Sequence, residues 1–258
     1  MNPTAIASNL PSDGVSGRLK LFASVLMVLL GGFPGSARAQ ADESLARPLG
    51  EKGALIFSDD FSADRFGSVW TERIKSAGVE NGVMYARQTT KEHGAVATAK
   101  LDLPDGNLIC ECRVQIEHNA TLAFSFDDMK YPGSVAGHIA RVTLEQQLVK
   151  LHDDKEGAMN RKLQDLRKSD DAAAKAQAEE EIKRHTLMVP MKLQTHEWHA
   201  FSAEIVGDQM RVTLDGKPVG LLKSSGLAHA TKPDLKISLS GKQALIDDLR
   251  VWAVKKTN

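Results

Sequence analysis

The chain has 258 residues, 33 basic against 33 acidic and a formal net charge of zero. That balance gives no electrostatic reason to expect nucleic acid or an anionic membrane surface as a partner. Its length suits one large domain or two small ones, and beyond the N-terminal region no Pro- or Gly-rich linker divides it.

At the N-terminus, Arg18 and Lys20 precede the apolar run Leu21 to Leu30, Pro34 comes after it, and Ala37-Arg38-Ala39 supplies the small-x-small pattern of a signal-peptidase site. The run ends at Gly31-Gly32, short of the roughly 20 apolar residues a membrane span needs. Residues 1–39 are therefore expected to be a signal peptide cleaved before Gln40, leaving an exported, periplasmic or extracellular protein without a membrane span. Cys110 and Cys112 lie far from this region, so no lipidated N-terminal cysteine is available. The polar stretch 1–17 is longer than such a leader requires, consistent with a start codon further downstream. Residues 40–54 read as an N-terminal linker and residues 55–258 as the folded domain.

From Leu55 onward, segments alternate apolar and polar residues with period two, the pattern of half-buried antiparallel strands. In LICECRVQI, Leu108, Cys110, Cys112, Val114 and Ile116 fall on one face and Ile109, Glu111, Arg113 and Gln115 on the other. Both cysteines thus read as core residues, and their spacing on an extended strand places their Cβ atoms badly for a disulfide, even in an oxidising compartment. Similar alternation runs through 121–126, 138–145, 199–206, 210–214 and 235–240. The expected class is all-β, a sandwich or barrel.

Residues 154–185 break the pattern: rich in Ala, Glu, Lys and Arg and free of proline, they are expected to be helical. Met159, Leu163 and Leu166 form a narrow apolar stripe, and Ser169-Asp170-Asp171 supplies a cap for a second helix. This helical insertion is either a solvated excursion at one edge of the sandwich or an arm for a protein partner.

The stretch HEWH, 196–199, resembles half of a zinc-protease motif. That motif, however, needs histidines four apart on one helical face, and here they are three apart beside a strand, which sends His196 and His199 to opposite sides. The residues beyond it read as hairpins: AEIV, a Gly-Asp turn, MRVTL, then Asp215-Gly216, a pair that tolerates the positive φ of tight turns.

Trp-His, a strand, Gly-Asp, a second strand and Asp-Gly-Lys together resemble the hairpins of the concanavalin A-like, laminin-G-like jelly-roll superfamily. LIFSDDFS (55–62) with Trp70 is similar to that superfamily's first strand and ALIDDLRVWAV (244–254) to its last. Among secreted bacterial proteins the layout is most similar to the domain named for 3-keto-disaccharide hydrolases. The resemblance covers nearly all of the chain beyond the leader except the helical segment. It implies an antiparallel two-sheet jelly-roll sandwich and a role with carbohydrate, either recognising glycans or hydrolysing glycosides or 3-keto-disaccharides. In the superfamily's laminarinase-like branch the catalytic carboxylates sit in a Glu-x-Asp-x-(x)-Glu strand, a spacing absent here: Glu111, Glu117, Glu145 and Glu204 each lack the partners.

The candidate site residues form two groups. Adjacent first and last strands would bring Asp59 or Asp60 close to Asp247. Strict alternation puts Asp247 on the same face as Leu245, Leu249 and Val251, so it needs either a calcium ion or backbone donors. The second group lies in the loop DDMKYPGSVAGH: Tyr131 as a platform for a sugar ring, Lys130 and His138 beside it, and Asp127, Asp128 and His138 as acid/base candidates. Trp70, Trp198 and Trp252 read as core. A structural or cell-surface interaction protein using the helical arm is the third functional class.

Overall fold

A computed structural model describes residues 45–63, 65–74, 76–91 and 94–255, so the leader expected at 1–39 lies outside the described residues. The first sheet contains β1 (Lys52–Asp59), β3 (Ala77–Glu80), β4 (Val83–Arg87), β6 (Leu108–Ile116), β11 (His199–Val206), β12 (Gln209–Leu214), β13 (Lys217–Lys223) and β15 (Gln243–Val254). The second contains β2 (Trp70–Ile74), β5 (Ala95–Lys100), β7 (Thr121–Asp127), β8 (His138–Glu145), β9 (Leu148–Asp153), β10 (Thr186–Pro190) and β14 (Asp234–Ser240). Their spatial orders are β13-β12-β11-β6-β15-β4-β3, with β1 beside β15, and β10-β9-β8-β7-β14-β5-β2. The pairings are antiparallel throughout, as the resemblance implied.

The inward positions of the two sheets form one core. Leu108, Cys110, Cys112, Val114 and Ile116 are all buried, and both cysteines are free thiols. Phe124 of β7 stacks on Phe201 of β11 at 4.7 Å between ring centroids, joining the two layers. The turns obey their residues: Asp215 and Gly216 take φ of 51° and 72°, which lets a two-residue loop close β12 onto β13.

Strict alternation fails on β15. Between Asp247 and Arg250 the strand carries one residue more than β6 opposite it, and Asp248 takes φ 52°. This bulge reverses the phase, so that Ala244 and Ile246 before it and Leu249 and Val251 after it all point inward. Asp247 therefore faces outward, contrary to the core-facing position expected of it.

The helical segment is α1 (Arg161–Lys168) and α2 (Ala172–Arg184), inserted before the edge strand β10. Asn160 and Asp171 cap them, each side chain accepting from two backbone amides, so the cap expected at 169–171 falls on Asp171. Residues 154–159 are turns rather than helix. The arm is also more than a solvated excursion: Arg161 N donates to Gly133 O at 3.1 Å, Arg161 Nε to Pro132 O at 2.8 Å, and Val135 N to Met159 O at 2.8 Å. It is thus tied to the loop that contains Tyr131.

The stretch expected as a linker belongs to the domain in its described part. Arg211, 5% exposed, pairs with Glu204 and donates to Leu45 O and Ala46 O, while Leu49 N donates to Glu204. A buried ion pair thus fastens the N-terminal strap to the outer face of the eight-stranded sheet.

Candidate functional site

Period-two alternation leaves each sheet an outer face, and on the seven-stranded sheet that face is polar. The register aligns Thr71, Thr98, Lys236, Ser125, Arg141, His152 and Thr186, one from every strand in spatial order. At about 4.8 Å between strands such a row spans roughly 29 Å. Beside it the smaller residues Val96, Ala123, Thr143 and Ser238 floor a groove of about 270 Å³, with Arg141 at its wall. His152 is held neutral over a wide range: burial, aided by Arg141 and Lys150, takes its pKa down to about 3.

Charged groups gather where β7 and β8 meet the loops. A register shift after Phe126 sets His138 opposite Asp127. Asp127 is fully buried; it faces His138 Nδ1 at 3.1 Å and accepts from Lys236 Nζ at 2.7 Å. On the neighbouring strand Asp234, 1% exposed, pairs with Lys100. At the end of β9, Asp154 accepts from Arg141 Nη2 at 2.9 Å. Burial pushes the Asp154 carboxyl up despite the nearby Arg141 and His138 charges.

Asp128 lies just outside this cluster. It accepts from Thr231 Oγ1 at 2.5 Å and from Lys130 N at 2.9 Å, and faces His229 Nε2 at 3.3 Å. Burial raises its pKa, but these hydrogen bonds outweigh burial and leave it below the ordinary carboxylate value. Burial in turn lowers His229 despite Asp128.

The loop candidates are therefore divided. Asp127 and His138 form a direct pair, and Asp128 sits beside them with partners of its own. Tyr131 is not an open platform, because its ring lies 4.9 Å from that of His229 and the Lys155 ammonium stands 5.6 Å from its centroid. The Lys130 side chain points into solvent, and only its backbone amide joins the cluster.

The second group is not assembled as expected. β1 does pair with β15, with Asp59 opposite Leu249, yet Asp59 accepts from Phe61 N and Trp70 Nε1, both at 2.8 Å, and Asp60 from Ser62 N at 3.1 Å. The bulge places Asp248, not Asp247, with them around a shallow cavity, while Asp247 accepts from Arg113 at 3.3 Å. Protein donors thus meet these carboxylates, and among the described residues no group of three or more His, Cys, Asp or Glu is placed to hold a metal.

Of the tryptophans, Trp70 is core, whereas Trp198 and Trp252 are half-buried on the outer side of the eight-stranded sheet beneath Arg113 and Lys52. His199 engages Asp215 at 2.8 Å and Gln194 O at 2.9 Å, so both ring nitrogens serve the fold, and His196 is exposed in a turn. Sequence reasoning missed Arg141, His152, Lys236 and Asp154. Their signals were present, as polar outward positions in alternating strands and as the second acid of the Asp153-Asp154 pair.

Two facing antiparallel sheets with paired first and last strands form the jelly-roll sandwich that the resemblance implied. Among solved structures the chain is similar to the laminarinase from Rhodothermus marinus, at 14% identity over 81% of this chain and 100% of that one, with a TM-score of 0.54. The catalytic domain of an endo-1,3-beta-glucanase from Thermotoga petrophila RKU-1 gives 15% identity over 81% of this chain and 100% of that one, with a TM-score of 0.53. A sialidase matches at 12% identity and a TM-score of 0.53 over 80% of this chain, which spans 19% of that longer protein. At these identities the likeness is one of fold. No protein-family model matches the chain, and no curated protein matches it by sequence.

Proposed function

We propose that this chain is an exported glycan-recognition domain that takes an extended carbohydrate across the outer face of its seven-stranded sheet. The carrying observation is the row from Thr71 to Thr186, polar on every strand, beside a groove floored by small side chains. Hydroxyls and fixed cations spread along such a row suit a hydroxyl-rich chain laid across strands better than a compact apolar ligand. Fold neighbours that act on β-glucans support the reading. Recognition is favoured over hydrolysis because Asp127 and Asp154 are each enclosed with a cation, where a glycosidase needs two carboxyl groups facing the scissile bond.

A second reading, a hydrolase acting on glycosides or 3-keto-disaccharides, is favoured by one contact. Asp127 against Nδ1 of His138 would orient that imidazole and leave Nε2 outside the pair as an acid/base group. The narrower resemblance to 3-keto-disaccharide hydrolases belongs to this reading.

A glycan-array screen of the chain beginning at Gln40, with and without calcium, tests the first reading. Binding that Lys236→Ala weakens without loss of folding supports it; no binding on an array of broad composition refutes it. Turnover of 3-keto-glycosides abolished by His138→Ala would establish the second instead. Export itself is tested by N-terminal sequencing of the protein recovered outside the cytoplasm, with Gln40 expected as the first residue.

A further inference from the structure

Among the described residues three buried side-chain atoms have no hydrogen-bond partner: Ser134 Oγ, Arg141 Nε and Asp154 Oδ2. All three belong to one junction. Arg141 holds Asp154 through Nη2, Asp154 N and Lys155 N both donate to Ile139 O, and Ser134 bridges Asn160, the residue that ends the turn begun by Asp154. Folded proteins leave few buried polar atoms unpaired, because each costs the solvation it has lost. Two of the three are on the members of a single ion pair, which indicates groups kept for something the chain does not itself supply.

The chemistry of that missing partner is restricted. Arg141 Nε is a donor and Asp154 Oδ2 an acceptor, on the two members of one pair. A carboxylate or phosphate would satisfy the first and be repelled by the second, and an amine the reverse. A neutral hydroxyl, which accepts from one and donates to the other, suits both, and two vicinal hydroxyls would suit them equally.

The geometry points to Arg141 and Asp154 as a hydroxyl-reading subsite at the end of the polar face, closed by the segment Tyr131–Gly137 until a sugar enters. This deepens the glycan reading and rests on it. The closing segment is fastened to the helical arm by Arg161 N and Nε on Gly133 O and Pro132 O, and by Val135 N on Met159 O. It also contains Ala136 at φ 53°, a conformation that costs a residue bearing a Cβ. Opening would relieve that backbone and expose the unpaired atoms, so the arm and the loop move as one cover.

The test tracks the Arg141 Nε–H resonance by nitrogen-15 NMR while methyl glycosides of the common hexoses and pentoses are titrated in. A saturable shift of Nε–H, together with the amides of 131–137, is expected for at least one sugar. Asp154→Asn should weaken that sugar about tenfold or more, as loss of a charge-assisted hydrogen bond does. Ser134→Ala should not lower Tm, because it removes an unsatisfied buried hydroxyl, whereas Asp154→Asn also takes the charge from the Arg141 pair and is compared with wild type only at temperatures where its unfolding curve shows it folded. An Nε–H unmoved by every sugar overturns the subsite, and so does a fall in Tm for Ser134→Ala. Sugar-dependent shifts at Ser125, Lys236 and Ser238 without Arg141 sink the subsite alone, whereas shifts confined to the eight-stranded sheet sink the glycan reading of this face as well.

Discussion

His138 Nδ1 stands 3.1 Å from a carboxylate oxygen of Asp127, and the Lys236 ammonium stands 2.7 Å from the other. Asp127 is therefore fully buried between two basic side chains on the neighbouring strands β8 and β14. Asp127→Ala leaves the Lys236 ammonium without its carboxylate partner and should cost about 3 kcal/mol, while Asp127→Asn, which keeps one acceptor, should cost less. Urea denaturation measures both; an unchanged midpoint for the alanine variant would mean that the cluster does not hold the sheet together.

His152 makes stability fall in acid. The unfolded chain protonates it near its ordinary value of 6.5, and the folded chain refuses the proton until about pH 3. Between those values the unfolded state binds more protons, so stability drops as pH falls, by on the order of 3 to 5 kcal/mol at full extent. His152→Gln should flatten this part of the pH profile, and a variant with the wild-type slope would contradict the assignment.

Lys232 acts at the other end of the scale. Its ammonium is buried on Gly106 O and His229 O, both neutral acceptors, and burial lowers its pKa from 10.5 to about 8. From pH 8 to 10.5 the unfolded chain holds a proton that the folded one has released, so this group should add about 3 kcal/mol as pH rises through that window. Lys232→Met should abolish the rise, read from urea midpoints across the alkaline range.

Cys110 and Cys112 should resist thiol reagents in the native state. Both face the core, and burial raises both thiols far above the ordinary value, which suppresses the reactive thiolate. Labelling should proceed at the rate of unfolding, and rapid reaction of either thiol in native buffer would place β6 in the wrong register.

What could be read in the sequence was whatever depended on local period. Inward Leu108 to Ile116 and the Asp215-Gly216 turn come from alternation and turn chemistry, which neighbouring residues determine, whereas the pairing of first and last strands was implied only by the resemblance to a jelly-roll superfamily. Asp247 was misplaced because a single inserted residue on β15 inverts the phase, and nothing in ALIDDLRVWAV announces it apart from the adjacent acids. The polar row was hidden for another reason. Thr71 and Thr186 are far apart in sequence, and only the spatial order of the seven strands aligns them with Arg141 and Lys236. The Asp127–His138 pair was half legible, since both lie at the ends of alternating strands, but its Lys236 partner comes from β14, about a hundred residues further on.

The central claim is that ligand lies on the outer face of the seven-stranded sheet, and blocking each face in turn tests it most directly. Ser238→Trp fills the groove beside Arg141 on one side of the sandwich, and Trp198→Ala removes the half-buried aromatic on the other. Both are applied to the same glycan array after matched unfolding curves establish that each variant is folded. The account predicts that Ser238→Trp loses binding to every glycan the wild type retains, while Trp198→Ala keeps the wild-type pattern. Binding that survives Ser238→Trp and disappears with Trp198→Ala would contradict it and place the ligand on the eight-stranded sheet.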